Sequence, residues 1–131
     1  MTKQMKDLYV KSPRDVIPVI KKYSCKKQEY FGILCIDGGN KILSKQILFI
    51  GGSNKIFIDK KVVFWNILRK KPSGVILFHN HPSNNSSPSD EDVETTKDLK
   101  KGLDLLGLQL FDHVIITKYD YWSFLEHNML I

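Results

Sequence analysis

Apolar residues fall along this chain in runs and spacings that predict an alternation of helices and strands. Ser12-Pro13 opens a first helix, with proline at an early helical position and Val16, Ile17 and Ile20 on one side, although Pro18 interrupts the pattern. Gln28 to Ile36 (QEYFGILCI) has no polar alternation after Glu29 and predicts a strand buried on both faces. Asp37-Gly38-Gly39-Asn40 is a hairpin turn signal, and Ile42 to Ile50 is the returning strand. Gly51-Gly52 turns the chain, and Ile56 to Ile58 predicts a short additional strand. Asp59 caps a helix with Val62, Val63, Ile67 and Leu68 near helical spacing, which Lys70-Lys71-Pro72 ends. Gly74 to Phe78 is a wholly apolar strand. The segment from Asp90 to about Leu106 carries Val93, Thr96, Leu99, Leu103 and Leu106 on one helical face, with Gly107 as C-cap. Leu108 to Thr117 and Tyr121 to Leu125 predict two last strands joined at Lys118-Tyr119-Asp120. These elements specify an α/β fold, a mixed β-sheet flanked by helices, in one domain spanning residues 1–131.

Length sharpens that picture. A chain of 131 residues can bury about two thirds of its unfolded surface without disulfide or metal support, so a bound metal would be functional rather than structural. Cys25 and Cys35 form no Cys-x-x-Cys pair, and Cys35 sits in an apolar strand; both read as reduced thiols, which favours a cytoplasmic setting. The chain contains no run of about 18 apolar residues, and its start, MTKQMKDLYVKSPRD, lacks the apolar segment of a signal peptide, so a soluble protein with no membrane contact is expected. The net charge of +6 conceals an asymmetry: residues 1–71 hold 14 Lys and two Arg against five acids, net +11, and residues 72–131 hold four Lys against nine acids, net −5. The basic half can serve solubility alone or a weak, salt-sensitive, non-specific contact with nucleic acid. Nearly all its charge is Lys, whereas base reading favours Arg.

The candidate chemistry lies in Phe78 to Val93, FHNHPSNNSSPSDEDV. Alternate side chains of an extended segment leave on one face, so His79 and His81 can reach one point while Asn80 points away. Pro82 biases His81 towards extended backbone. A polar loop of Ser, Asn and Pro then leads to Ser89-Asp90-Glu91-Asp92, a capping-box pattern whose helix start returns carboxylates towards the histidines. Two imidazoles and one carboxylate are the protein ligands of many catalytic zinc sites, with a fourth position left for water. Read in isolation, Ser89 and Asp92 can equally be a helix cap and nothing more.

The order strand, His79-Asn80-His81-Pro82, polar loop, Ser89-x-x-Asp92, helix resembles the JAMM metal motif of the JAB/MPN metalloprotease superfamily, and the HNHPS wording resembles its RadC branch. The likeness extends from about Ser12 through Gln28-Glu29, Gly52-Ser53, Asp112-His113 and Tyr121-x-Ser123-Phe124-x-Glu126. Asp59-Lys60 stands where that family usually has Pro-Arg, and Asn84 where it usually has Gly. The resemblance implies a JAB/MPN-like (cytidine-deaminase-like) fold, present as the catalytic-type module with no separate helix-hairpin-helix DNA-binding region.

The resemblance also implies a division of labour. His79, His81 and Asp92 would hold one Zn²⁺, Glu29 would be the general base acting on a water, and Ser89 would hydrogen-bond the oxyanion. From the residues alone, Glu29 can equally be a solvated acid at a strand start and Ser89 only an N-cap. His113, in an apolar strand beside Asp112, reads as a core residue or as support behind a ligand, with Asp112 its companion; Trp122 and His127 have no expected part in the chemistry. Metallo-β-lactamase sites need His-x-His-x-Asp-His, amidohydrolase barrels need about 250 residues, zinc deaminases need His-x-Glu with Pro-Cys-x-x-Cys, and an HNH nuclease needs a strand-to-helix context that Pro82 breaks. The expectation is a zinc metallopeptidase or isopeptidase acting on a protein or peptide. The alternative is a non-catalytic or accessory RadC-like module in DNA repair, recombination or a mobile element.

Overall fold

A computed structural model of the chain describes residues 8–51 and 56–130. The first helical segment starts where the sequence places it, with the Asp15 carboxylate accepting from the Lys11 and Ser12 N–H groups at 2.8 and 3.2 Å. It runs as a 3₁₀ turn (Pro13–Val16), helix α1 (Ile17–Ile20) and a second 3₁₀ turn (Lys21–Tyr23). Pro18 is accommodated because it falls in the first turn of α1, where its missing N–H is no loss. Strands β1 (Tyr30–Ile36) and β2 (Ile42–Ile50) form the expected hairpin. Asp37 Oδ1 closes its turn by accepting from the Gly39 and Lys41 N–H groups, both at 2.9 Å, and Asn40 takes the left-handed conformation at φ 66°.

Helix α2 (Lys60–Leu68) is capped by Asp59, whose Oδ1 accepts from the Lys61 N–H at 3.0 Å. It buries Val63 and Ile67; Leu68, expected on the same face, is exposed. Strand β3 (Gly74–Asn80) is buried at every position. Helix α3 (Asp90–Leu105) buries Thr96, Leu99 and Leu103, leaves Leu106 exposed, and ends at Gly107, whose φ of 74° suits a residue without Cβ. Strands β4 (Gln109–Ile116) and β5 (Tyr121–Ser123) follow.

The sheet order is β2-β1-β3-β4-β5, with β3 and β4 parallel and the other neighbours antiparallel, so the sheet is mixed as expected. Alternation along the strands divides the core between two faces. Val16, Ile20 and Tyr23 pack with Leu34, Ile36, Ile76 and Phe78 on one face. On the other, Val63, Ile67, Leu99 and Leu103 pack with Ile33, Cys35, Val75 and Leu77. Among the described residues no helix is long and apolar enough to cross a membrane.

Strand β1 begins at Tyr30, two residues later than expected, and two further elements differ from expectation. Ile56 to Ile58 is not a strand: Ile56 and Ile58 pack onto the α2/α3 side of the core and Phe57 points to solvent, so their alternation reflects side-chain packing without a sheet partner. The last strand stops at Ser123 instead of Leu125: the Phe124 N–H still donates in register to the His113 carbonyl at 3.0 Å, but the Leu125 N–H is taken by the side chain of Asp112, at Oδ1 and 2.9 Å, and the chain leaves the ladder there. Gly52-Ser53, one of the segments that carry the family resemblance, lies outside the described residues.

Gly32 lies in β1 where there is no room for a side chain. A Cβ there would meet the Phe78 ring and come within 2.6 Å of the Gln46 carbonyl oxygen. Gly32→Ala is therefore expected to lower stability by about 1–3 kcal/mol through overpacking. The urea midpoint should fall with an unchanged m-value, and an unshifted midpoint contradicts this packing.

Candidate metal centre

Strand β3 supplies the two histidines and α3 the carboxylate. His79 lies in the buried run of β3, one residue before its end, and the His81 N–H continues the ladder with β4 by donating to the Ile116 carbonyl at 3.1 Å, which keeps the pair extended. The capping box at the start of α3 is formed as expected: the Asp92 N–H donates to Ser89 Oγ at 3.0 Å and Asp92 Oδ2 accepts from the Ser89 N–H at 2.9 Å. The same carboxylate lies 3.4 Å from His79 Nε2 through Oδ1 and 3.1 Å from His81 Nε2 through Oδ2. Capping and site formation are thus one interaction.

Glu29 joins them through sheet register. Phe31 pairs with His79 across β1 and β3, so Glu29, two residues upstream and with the same alternation, arrives beside the histidines with Oε1 3.9 Å from His79 Nε2. Glu29, His79, His81 and Asp92 form a group that could hold a metal ion, each offering an atom within 4.8 Å of the others.

Hydrogen bonds decide which ring nitrogens carry protons. The Thr96 hydroxyl donates to the Asp92 carbonyl at 2.6 Å, so its lone pair accepts from His113 Nδ1–H at 2.6 Å. His113 Nε2 then accepts from His79 Nδ1–H at 2.8 Å, leaving a lone pair on His79 Nε2. His81 Nδ1–H donates to the Asn85 carbonyl at 2.7 Å, which leaves a lone pair on His81 Nε2 as well. These two lone-pair atoms stand 2.9 Å apart with the Asp92 carboxylate beside them. Three acceptors facing one point require a proton or a cation between them, and two imidazoles with one carboxylate suit Zn²⁺.

Protonation follows the same arrangement. Complete burial, reinforced by the neighbouring His79, pushes His113 well below the usual imidazole range, so it is the neutral ring that the relay requires. Burial would favour the neutral form of Asp92, but when a proton occupies the gap between the three acceptors, hydrogen bonds from His79 and His81 and the charge on His79, together with the Ser89 N–H, hold its carboxyl far below the usual carboxylate range. Burial works against charge on His81 too, yet the hydrogen bonds to Asp92 and to the Asn85 carbonyl raise its pKa above the ordinary value. A proton therefore competes with a metal for His81.

An open cleft of about 290 Å³ has these groups at its base and Phe31, Ile56, Ile58 and Pro82 as apolar wall. Its polar loop is tied down by Ser86 Oγ–H donating to Asp120 Oδ2 at 3.1 Å. Asn84 adopts φ 64°, the left-handed region that asparagine tolerates best after glycine, so the departure from the usual Gly keeps the turn. The other departure is equally local: Asp59 is the cap of α2, and Lys60 pairs with Asp98 at 2.9 Å.

Two residues near the cluster, His113 and Asp112, are open to different readings from the sequence. His113 touches His79 and stacks on Phe124 with ring centroids 4.8 Å apart, which fixes its plane. Asp112, its expected companion, is not brought to the cluster. Its carboxylate points to the other face of β4, accepting from Ser123 Oγ–H at 2.6 Å, from the Leu125 N–H at 2.9 Å and from the His113 N–H at 2.7 Å. Burial raises its pKa, and these three donors partly offset the rise. Asp112→Ala is expected to lower stability by about 1–3 kcal/mol, since it strands buried donors. Metal content should stay at the parent's level, and its loss would return Asp112 to the metal's surroundings. Thr96, read from the sequence only as part of a helix face, ends the relay; a lone hydroxyl on an apolar face, four residues after Asp92, was its signal. Trp122 and His127 stack on each other with centroids 3.5 Å apart.

Comparison with known proteins gives a consistent result. Residues 10–129 match the RadC-like JAB domain family. The UPF0758 protein of Aquifex aeolicus is 32% identical over 121 residues, 92% of this chain and 52% of that protein. That of Listeria innocua is 33% identical over 94% of this chain and 55% of its own length. That of Methanosarcina barkeri is 36% identical over 91% of this chain and 52% of its own length. The chain spans about half the length of the curated relatives it matches.

Proposed function

The chain belongs to the RadC-like JAB domain family, and from that premise we propose that it is a zinc-dependent hydrolase of the metallopeptidase or isopeptidase type, cleaving an amide bond in a protein or peptide. The observation that carries the reading is the convergence of His79 Nε2, His81 Nε2 and Asp92, all acceptors, with a second carboxylate, Glu29, at the base of an open cleft. Zinc held by His79, His81 and Asp92 would supply Lewis acidity and lower the pKa of a water to about 7. Glu29, part-exposed and 3.9 Å from His79 Nε2, takes the proton from the attacking water and returns it to the leaving amine. Ser89 Oγ accepts from the Asp92 N–H, which leaves its own proton to donate to the carbonyl oxygen as charge develops there. The relay through His113 and Thr96 keeps the proton of His79 on Nδ1.

Metal analysis of the purified protein, paired with a peptide-library cleavage assay, tests this. One equivalent of zinc, restored on reloading after chelation, together with cleavage is the expected result. A protein that holds well under one equivalent and cannot be reloaded contradicts the site. Full zinc without any cleavage favours instead a non-catalytic RadC-like module in DNA repair or a mobile element.

A further inference from the structure

Asn80 stands between the two metal-site histidines and points off the opposite face of β3, where it is wholly buried. A fully buried primary amide needs partners for both its ends, and here both lie on one short segment. Oδ1 accepts from the Tyr30 N–H at 2.6 Å, and Nδ2 donates to the Gln28 carbonyl at 2.9 Å, with the Lys26 carbonyl farther away at 3.5 Å. The residue between Gln28 and Tyr30 is Glu29. Its own carbonyl accepts from the Gly51 N–H at 2.7 Å, so the backbone before, at and after Glu29 is held.

Register explains why a side chain takes this role. Main-chain pairing of β1 with β3 ends at Phe31 opposite His79, while on its other side β3 goes on pairing with β4 through Asn80 and the His81 N–H. The incoming segment has no further strand partner on that side. The Asn80 amide supplies one donor and one acceptor in place of the next peptide group, carrying the sheet contact one step further. The extra step is the one that fixes where the Glu29 side chain leaves the backbone.

We propose that Asn80 is a positioning residue that holds Glu29 over the histidine pair by clamping the main chain on either side of it. The inference rests on the reading of Glu29 as the general base. Asn80 touches neither the substrate nor the metal, and acts only through where Glu29 sits. A general base displaced by about 1 Å is enough to lower turnover by as much as a hundredfold.

The test combines turnover, metal content and amide exchange. In Asn80→Ala, zinc content and far-UV CD should match the parent, kcat on a substrate the parent cleaves should fall about tenfold or more, and KM should change little. In a Glu29→Gln background the same substitution should change kcat by less than about twofold, since the group it positions no longer works. An equal loss in both backgrounds, or a loss that tracks zinc release, overturns the proposal. Hydrogen exchange needs neither activity nor a variant: the Tyr30 amide should be protected in the parent, and an amide that exchanges as freely as an open loop overturns the clamp. Asn80→Ser, smaller in its disturbance, serves if the alanine protein does not fold, and should release the Tyr30 amide in the same way. If the parent cleaves nothing, or Glu29→Gln is inert, the hydrolase reading has failed and with it the catalytic half of the proposal. The exchange result then decides the clamp alone.

Discussion

Glu29→Gln is expected to keep zinc and fold and to lose about a hundredfold or more in turnover, the scale of general acid-base help. Glutamine preserves the size and can hydrogen-bond, but it cannot take a proton from water. Glu29 enters the cluster only by register, is part-exposed, and caps no helix, so its removal has little structural consequence. An exposed acid of no function would tolerate the change within about half a kcal/mol and leave turnover intact. Kinetics on a substrate that the parent cleaves, with zinc measured on the same samples, separate the two cases. Full activity in Glu29→Gln would transfer the role to another acid, of which Glu91 lines the same cleft.

Chelation should abolish activity and leave most of the far-UV CD signal. Both core clusters are built from sheet and helix side chains, and apart from His79 the residues proposed to hold the metal lie at the margin of the buried core. Collapse of the CD signal on chelation would show a structural metal instead. Asp92→Asn should weaken zinc binding more than Glu29→Gln does, because in the proposed site it replaces a liganding carboxylate by a poorer neutral donor, and it disturbs the cap of α3. If zinc is lost in Glu29→Gln and kept in Asp92→Asn, the ligand assignment is wrong. The pH dependence has a definite sign. His81 has a raised pKa, so zinc affinity should fall as pH drops through that value, while Asp92, held far below the usual range, stays ionised throughout. In the chelated protein the same shift works the other way. The stability that protonated His81 contributes is full below 6.5 and is lost as pH rises through its folded value. Zinc titrations and thermal melts across that range check both directions.

The sequence by itself determined what depends on neighbours along the chain. Two-residue alternation put His79 and His81 on one face, a three-residue interval joined Ser89 to Asp92, and turn chemistry placed the hairpin at Asp37 to Asn40. Periodicity located both long helices and the strands, and the order of motifs pointed to the family. Each of these is set by backbone geometry over a few residues, so the pattern carries it without knowledge of the rest of the fold. The tertiary structure alone decided which strands lie side by side and in what register. Glu29 reaches the site because Phe31 pairs with His79; a slip of one residue would turn it to the other face. His113 supports His79 because β4 lies parallel to β3, while Asp112, one residue away, points off the opposite face into the contacts of Ser123 and Leu125. The sequence says of Asn80 only that it points away from the histidines, because its partner Tyr30 is fifty positions upstream along the chain. Ile56 to Ile58 has a strand's alternation but no strand to pair with, since hydrogen-bond partners in a sheet come from elsewhere in the chain and a local pattern cannot supply them.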